Sequence, residues 1–125
     1  MTKTELSKQL KLYVDEHRDK KILVCADKYT VLVPLVSAVH RHPHFVLTGK
    51  SSQRARELAI KQFRACPAGV LFCTTPHVSG WATERLDTVI AVGAFKDTDP
   101  EIIQARARQH MHTADLVIWE EPTNE

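Results

Sequence analysis

The sequence predicts an α/β fold in which helices cover both faces of a parallel sheet. Short runs rich in Val, Ile and Leu recur along the chain and are apolar on both sides, as central parallel strands are. Amphipathic segments of helical period alternate with these runs four or five times. With 125 residues, 43% hydrophobic and 26% charged, the chain is suited to one domain with one core. About five parallel strands are expected.

The first half of the chain begins with a helix predicted over residues 2–19. Thr2 and Glu5 form a capping box, and one face carries Leu6, Leu10, Tyr13 and Val14. Residues 21–26, KILVCA, follow as a central strand. Residues 28–41 are ambiguous; a helix is favoured, with Pro34 close to the first turn, where proline costs least. Residues 42–49 are read as a loop, a strand and a glycine turn.

The second half opens with a helix over residues 51–66, capped by Ser51 or Ser52. Its predicted buried face consists of Ala55, Leu58, Ala59, Phe63 and Cys66. Residues 68–74 and 86–93 are predicted strands, separated by a turn-rich loop. A capping box formed by Thr98 and Glu101 begins the helix at 100–112, and residues 114–122 form the last strand.

Composition and local patterns limit the functional classes. No apolar run approaches the roughly 20 residues of a membrane span, and the N-terminal segment is too polar for a signal peptide. Three cysteines without CxxC spacing indicate reduced thiols, so a cytoplasmic compartment is expected. The net charge of +2 is too small to require a nucleic-acid partner, and local clusters must carry that inference.

Function in such sheets lies at the carboxyl ends of the strands. Lys50, Arg54 and Arg56 follow one strand and occupy the start of a helix, where free N–H groups and positive side chains suit a phosphate. Solvated charges on a surface helix are the alternative explanation, and spacing alone favours it.

The loop after the next strand offers a second set of phosphate-binding groups. Thr74, Thr75 and Gly80 can supply hydroxyls and backbone amides, and Trp81 can stack on a base or pack on its own domain. Cys73 invites comparison with thiol phosphatases, but no arginine falls within the six residues after it. An inert, buried thiol is therefore expected.

Two further patterns remain. His40, His42 and His44 alternate along a short segment, which is conceivable for a metal site, but an exposed loop without metal is expected. On the predicted helix at 100–112, Gln104, Arg108 and Met111 share one face.

In this order the segments resemble the second RecA-like domain of superfamily 2 helicases and translocases, nearest to the Swi/Snf-type remodelling ATPases. The resemblance covers residues 20–122. KILVCAD resembles the strand that opens motif IV, and Gly49, Arg56 and Phe63 match a family segment with intervals of seven residues. Thr74 and Gly80 resemble motif V, and LDTVIAVG resembles the strand that follows it. Motif VI is matched by Gln104, Ala105, Arg108 and His110, and the closing strand by ADLVIWEEP.

The departures from the family pattern bear on activity. In the family, the second arginine of motif VI acts as an arginine finger that reaches the γ-phosphate of the nucleotide, and Met111 stands at that position here. Arg108, with Gln104, is therefore the remaining candidate for such a contact. Ala82 replaces the Asp or Asn expected in motif V. The sequence contains no GxxxxGK[ST] motif and no DExx box at the end of an apolar strand, which the first RecA-like domain supplies in this family. The resemblance therefore implies a single RecA-like domain without catalytic residues or cofactor of its own, and no ATP hydrolysis by this chain alone.

The favoured interpretation is a stand-alone, non-catalytic domain that binds nucleic-acid backbone as an accessory factor. DNA is favoured over RNA as the nucleic acid. Phage or virus origin is expected, with the host cytoplasm or nucleus as its location. The first alternative is a protein that docks on a helicase or remodelling ATPase and regulates it. The second is one half of a split ATPase. The N-terminal helix can complete the core or make a homodimer contact, and the pattern leaves both open.

Overall fold

The computed structural model describes residues 2–26, 28–47, 52–74, 86–93 and 115–123. Within these ranges the chain forms three helices and five strands. In chain order they are α1 (Lys3–Glu16), β1 (Lys21–Ala26), α2 (Tyr29–Ala38), β2 (His44–Leu47), α3 (Gln53–Ala65), β3 (Gly69–Thr74), β4 (Thr88–Val92) and β5 (Asp115–Trp119).

The five strands form one parallel sheet in the order β2-β3-β1-β4-β5. The central strand β1 pairs with β3 on one side and with β4 on the other, and all six of its residues are buried. A strand buried on both faces needs apolar side chains at successive positions, which is the pattern of KILVCA. The predicted parallel α/β fold is confirmed.

Helices cover both faces of the sheet, as expected. On one face, α1 and α2 pack together and bury Leu6, Leu10 and Val14 of α1 and Leu32 and Leu35 of α2 against alternate strand residues. On the other face, Phe63 of α3 is fully buried in a second cluster built on the remaining strand residues. The first helix therefore completes the core of this domain.

The predicted cap of α1 is present. The Thr2 hydroxyl accepts a hydrogen bond from the Glu5 amide at 3.2 Å, which satisfies one of the free N–H groups of the first turn. Tyr13 then ties the helix to the sheet. Its hydroxyl lies 3.2 Å from the hydroxyl of Thr88 on β4, and its ring meets Trp119 of β5 edge to face.

Two expectations about the helices were wrong in detail. Pro34 is the sixth residue of α2, inside the helix and beyond its first turn, where it removes one backbone hydrogen bond. Burial of Leu32 and Leu35 holds the helix against that cost. In α3, Leu58 is 53% exposed and Ala55 is exposed as well.

The buried face of α3 is turned relative to the prediction because Phe63 sets its orientation. The Phe63 ring packs edge to face on Phe45 of β2, and Ala59 and Ile60 are the residues of α3 partly buried beside it. The positions i, i+1 and i+4 that begin at Ala59 exclude Leu58, which points to solvent. The predicted helix at 100–112 lies outside the described residues.

We expect Leu10→Ala to lower the free energy of unfolding by about 2–5 kcal/mol, because it removes a side chain with no exposed surface from the core. The matched control is Leu12→Ala on the same helix, whose side chain is 62% exposed. That change should stay within about 0.5 kcal/mol. Urea unfolding followed by circular dichroism measures both. Equal effects of the two substitutions would contradict the placement of α1 in the core.

Candidate functional site

The carboxyl edge of the sheet, defined as the edge at which the parallel strands end, carries the predicted phosphate-binding residues that the structure describes. Leu47 ends β2 and is followed by α3, and Thr74 ends the neighbouring strand β3. The start of α3 therefore lies beside the end of β3. This is the edge at which ligands bind in open α/β sheets.

The first turn of α3 is ordered by Ser52. Its side-chain oxygen accepts a hydrogen bond from the Ala55 amide at 3.1 Å, so Ser52 is the cap that the sequence left open between two serines. The capped helix fixes where the following arginines project. Arg54 is exposed, whereas Arg56 is half-buried.

Arg54 and Arg56 do not share a face, because two residues correspond to about 200° around a helix. Arg56 lies three, four and seven residues before Ala59, Ile60 and Phe63, which turn toward the sheet. It is thus the first member of the sheet-facing stripe of α3, at the carboxyl edge. Arg54 points away from the sheet.

Thr74 lies at the end of β3 but is only 8% exposed. Cys73 packs in the cluster under α3, so strand alternation directs Thr74 to the opposite face, under α1 and α2. The structure therefore does not bring the Thr74 hydroxyl onto the same surface as Arg54. Cys73 has no exposed surface, as predicted, and its thiol donates to the Thr74 carbonyl oxygen at 3.2 Å.

The other predicted site residues lie outside the described residues. They are Lys50, Thr75, Gly80 and Trp81 of the proposed phosphate surface, and Gln104, Arg108 and Met111 of the motif VI resemblance. Their roles stay predictions.

The three alternating histidines make three separate contacts. A ring nitrogen of His40 bonds the Ser37 carbonyl at 2.9 Å, and one of His44 bonds the His42 carbonyl at 2.9 Å. His42 turns away from both and bonds the Asp15 carboxylate at 2.8 Å. Among the residues that the structure describes, no three His, Cys, Asp or Glu side chains are placed to hold a metal ion.

Sequence reasoning missed a groove at the opposite, amino edge of the sheet, where the strands begin. It has a volume of about 670 Å³ and lies between the end of α1 and the segment that follows α2. Its polar lining consists of Lys11, Asp15, Arg18, His40, Arg41 and His42. We call it the amino-edge groove. The i, i+4, i+7 spacing of Lys11, Asp15 and Arg18 is the signal that the sequence offered.

Asp15 is the centre of the amino-edge groove. Its carboxylate lies 2.8 Å from His42, 3.4 Å from Lys11 and 3.9 Å from Arg18. The hydrogen bond from His42 lowers the pKa of Asp15 below its ordinary value of 3.8, and the charge of Lys11 acts in the same direction. Partial burial opposes these effects without overcoming them.

Comparison with known proteins matches nearly the whole chain to one domain family. The profile of the helicase conserved C-terminal domain matches residues 2–112. No curated protein sequence matches the chain. Among the described helices, none has both the length and the hydropathy that a membrane span requires.

Solved structures share the fold. The C-terminal domain of the DEAD-box protein Dbp5 superposes with a TM-score of 0.75 at 15% identity, covering 98% of this chain and 72% of that one. Domain 2 of the DEAD-box helicase Mss116p, solved bound to an RNA duplex, gives 0.71 at 18%, covering 93% and 48%. The Hef helicase domain of Pyrococcus furiosus gives 0.68 at 20%, covering 97% and 26%. The chain thus spans about a quarter of the Hef structure.

We expect Asp15→Asn to destabilise the protein at neutral pH and to have no effect in strong acid. A carboxylate whose pKa is lower in the folded state stabilises the fold above its unfolded pKa, and this contribution is lost as pH falls through the folded pKa. The measurement is urea unfolding of both proteins across the acid range. Asp19→Asn, which removes an exposed carboxylate from the next turn, is the control. A difference between wild type and Asp15→Asn that stays constant with pH would contradict the assignment.

Proposed function

Because the chain belongs to the helicase conserved C-terminal domain family, we propose that it binds the backbone of nucleic acid at the carboxyl edge and hydrolyses no ATP by itself. The expected similarity to the second RecA-like domain of superfamily 2 helicases is confirmed, and the Swi/Snf-type resemblance is compatible with it. The accessory, non-catalytic role is the proposal.

The observation that carries this proposal is the position of Arg56. Arg56 is the first residue on the face of α3 that packs toward the sheet, and the other residues of that face are apolar. It is half-buried and lies at the edge where ligands bind in such folds. A guanidinium held there by a capped helix can form paired hydrogen bonds with phosphate oxygens. Arg54, exposed on the same turn, adds charge without a fixed geometry.

Further support comes from relatives and from the sequence. Mss116p domain 2, a structural neighbour, was solved with an RNA duplex bound. The predicted contacts of Lys50, Thr75, Gly80 and Trp81 belong to the stretches of sequence that come after β2 and β3. Phosphate contacts position a protein on nucleic acid without reading its sequence, so we propose binding with little base preference. We keep DNA as the favoured ligand, and the assay below compares it with RNA.

For the lack of ATPase activity, the sequence supplies the argument. The chain carries no phosphate-binding GxxxxGK[ST] motif, and Met111 replaces an arginine of the motif VI resemblance. We propose that any contribution of this chain to ATP hydrolysis needs a second domain that brings the phosphate-binding loop and magnesium ligands. Arg108 is then the residue offered to the nucleotide.

We expect Arg56→Ala to weaken binding of a fluorescent DNA oligonucleotide more than Arg54→Ala, and the double variant most. Each lost phosphate contact should reduce the slope of log affinity against log salt by about 0.7 for single strands and 0.9 for duplex. The assay is fluorescence anisotropy with single- and double-stranded DNA and RNA at several salt concentrations.

The control for this assay is the double variant Arg18→Ala/Arg41→Ala. It removes the same charge from the amino edge and should leave nucleic-acid affinity nearly unchanged. No binding by the wild type at tens of micromolar protein in low salt, or equal losses in the two double variants, would overturn the proposal.

We expect the chain alone to release no phosphate from ATP, with or without nucleic acid. The measurement is a colorimetric phosphate assay with an active helicase as positive control. Activity of the isolated chain contradicts the proposal. Activity that arises only on mixing with a phosphate-binding-loop domain, and that Arg108→Ala abolishes, would instead establish the split-ATPase alternative.

A further inference from the structure

We propose that the amino-edge groove is a docking site for an acidic peptide segment of a protein partner. The groove lies at the edge of the sheet opposite to Arg54 and Arg56, so it is separate from the proposed nucleic-acid surface. The inference stands independently of the proposed function.

The side chains of the amino-edge groove already surround one carboxylate, that of Asp15. Three cationic or protonatable side chains, Lys11, Arg18 and His42, converge on Asp15 from two separate chain segments. His42 is 27 positions away from Asp15 in sequence, so the fold assembles this arrangement. The groove is thus built from side chains that coordinate a carboxylate, and Asp15 occupies only part of it.

The groove also has an excess of cationic side chains. Among the described residues of its lining, Lys11, Arg18 and Arg41 are basic, and Asp15 is the one carboxylate. The Lys11 and Arg18 side chains are 60% and 73% exposed, so they can reach an incoming ligand. Within the described part of the chain, no acidic group forms an ion pair with Arg41. Among the described residues, one internal carboxylate thus faces three cationic side chains, which leaves positive charge available to an external anion.

Helix capping does not account for these arginines. The carbonyls at the ends of α1 and α2 would attract cations, because helix C-termini are partially negative. However, His17 bonds the Tyr13 carbonyl at 2.7 Å, and His40 bonds the Ser37 carbonyl at 2.9 Å. Histidines thus serve the last turns of both helices. Arg18 and Arg41 follow them in sequence and face the groove instead.

The lining favours a peptide over nucleic acid. Ala38 and Pro43 give the groove a small apolar surface between the charged groups, which suits the aliphatic parts of a peptide chain. In the part of the chain that the structure describes, no Phe, Tyr or Trp lines it, so these residues offer an unpaired base no aromatic stacking platform. A volume of about 670 Å³ accommodates a few side chains, as small ligand sites do. The occupant is thus an extended segment with several Asp or Glu residues.

The direct test uses a fluorescein-labelled octa-glutamate peptide, with octa-glutamine as its uncharged counterpart. Anisotropy at low salt should show binding of the first peptide and none of the second. Arg18→Ala/Arg41→Ala should weaken octa-glutamate binding by about tenfold, since each exposed charge pair contributes a few-fold. Arg54→Ala/Arg56→Ala, which removes equal charge at the other edge, should leave it unchanged.

A gain of affinity provides a second, more specific test. Asp15→Asn removes the internal carboxylate that competes for Lys11 and Arg18, so it should tighten octa-glutamate binding by about two- to fivefold. A merely structural role of Asp15 predicts weaker binding or none. Chemical shift changes of backbone amides in residues 11–18 and 38–43 on titration would place the peptide in the groove.

Three outcomes overturn the proposal. One is the absence of octa-glutamate binding at hundreds of micromolar peptide in low salt. Another is equal weakening by the two arginine double variants, which indicates unspecific charge attraction. The third is that an oligonucleotide binds Arg18→Ala/Arg41→Ala more weakly than wild type but binds Arg54→Ala/Arg56→Ala as well as wild type. This result would make the groove a nucleic-acid site. It would also contradict the proposed nucleic-acid surface at the carboxyl edge. Failure at the groove alone leaves the carboxyl-edge proposal standing.

Discussion

The burial of β1 on both of its faces is the constraint on which the rest of the structure depends. Its first residue, Lys21, is 4% exposed and joins three parts of the molecule. The Lys21 amide donates to the Asp87 carboxylate at 2.8 Å, just before β4. Its ammonium lies 4.5 Å from the centre of the Phe63 ring and 3.4 Å from the Arg64 carbonyl. Strand, helix and neighbouring strand are thus fixed together where the sheet begins, and β1 separates two cores that cannot contact each other.

Much of this architecture could be predicted because central strands carry a strong signal. KILVCA and the run from Gly69 to Thr74 are apolar at successive positions, and this requires neighbours on both faces. The errors arose where local pattern and tertiary packing disagree. Helix propensity does not predict where Pro34 lies within α2. The core contacts of its neighbours decide whether the helix continues through the proline. In α3, adjacent apolar positions permit two buried faces, and only the fit of Phe63 against Phe45 distinguishes them.

The two edges of the sheet differ in how far sequence can predict them. Arg54 and Arg56 stand in one short segment after a strand, so the general rule about carboxyl ends identifies them. The amino-edge groove requires knowledge of how α1 and α2 lie together. Both helices run from the carboxyl edge to the amino edge, and this common direction brings Asp15 to His42. No local sequence pattern predicts that alignment of the two helices, although the sequence shows both the charged residues of α1 and the histidines.

The bridge between Thr2 and Thr123 brings together the two ends of the described chain. Thr123 follows β5 past the carboxyl edge, and α1 starts there before it runs back along the sheet. A label attached at Thr2 or Thr123 would therefore project from the carboxyl edge beside β5 and leave the amino-edge groove open. For the same geometric reason, joining the two ends with a short linker and opening the chain elsewhere is a practicable circular permutation. Immobilisation through such a label would present the amino-edge groove to the solution.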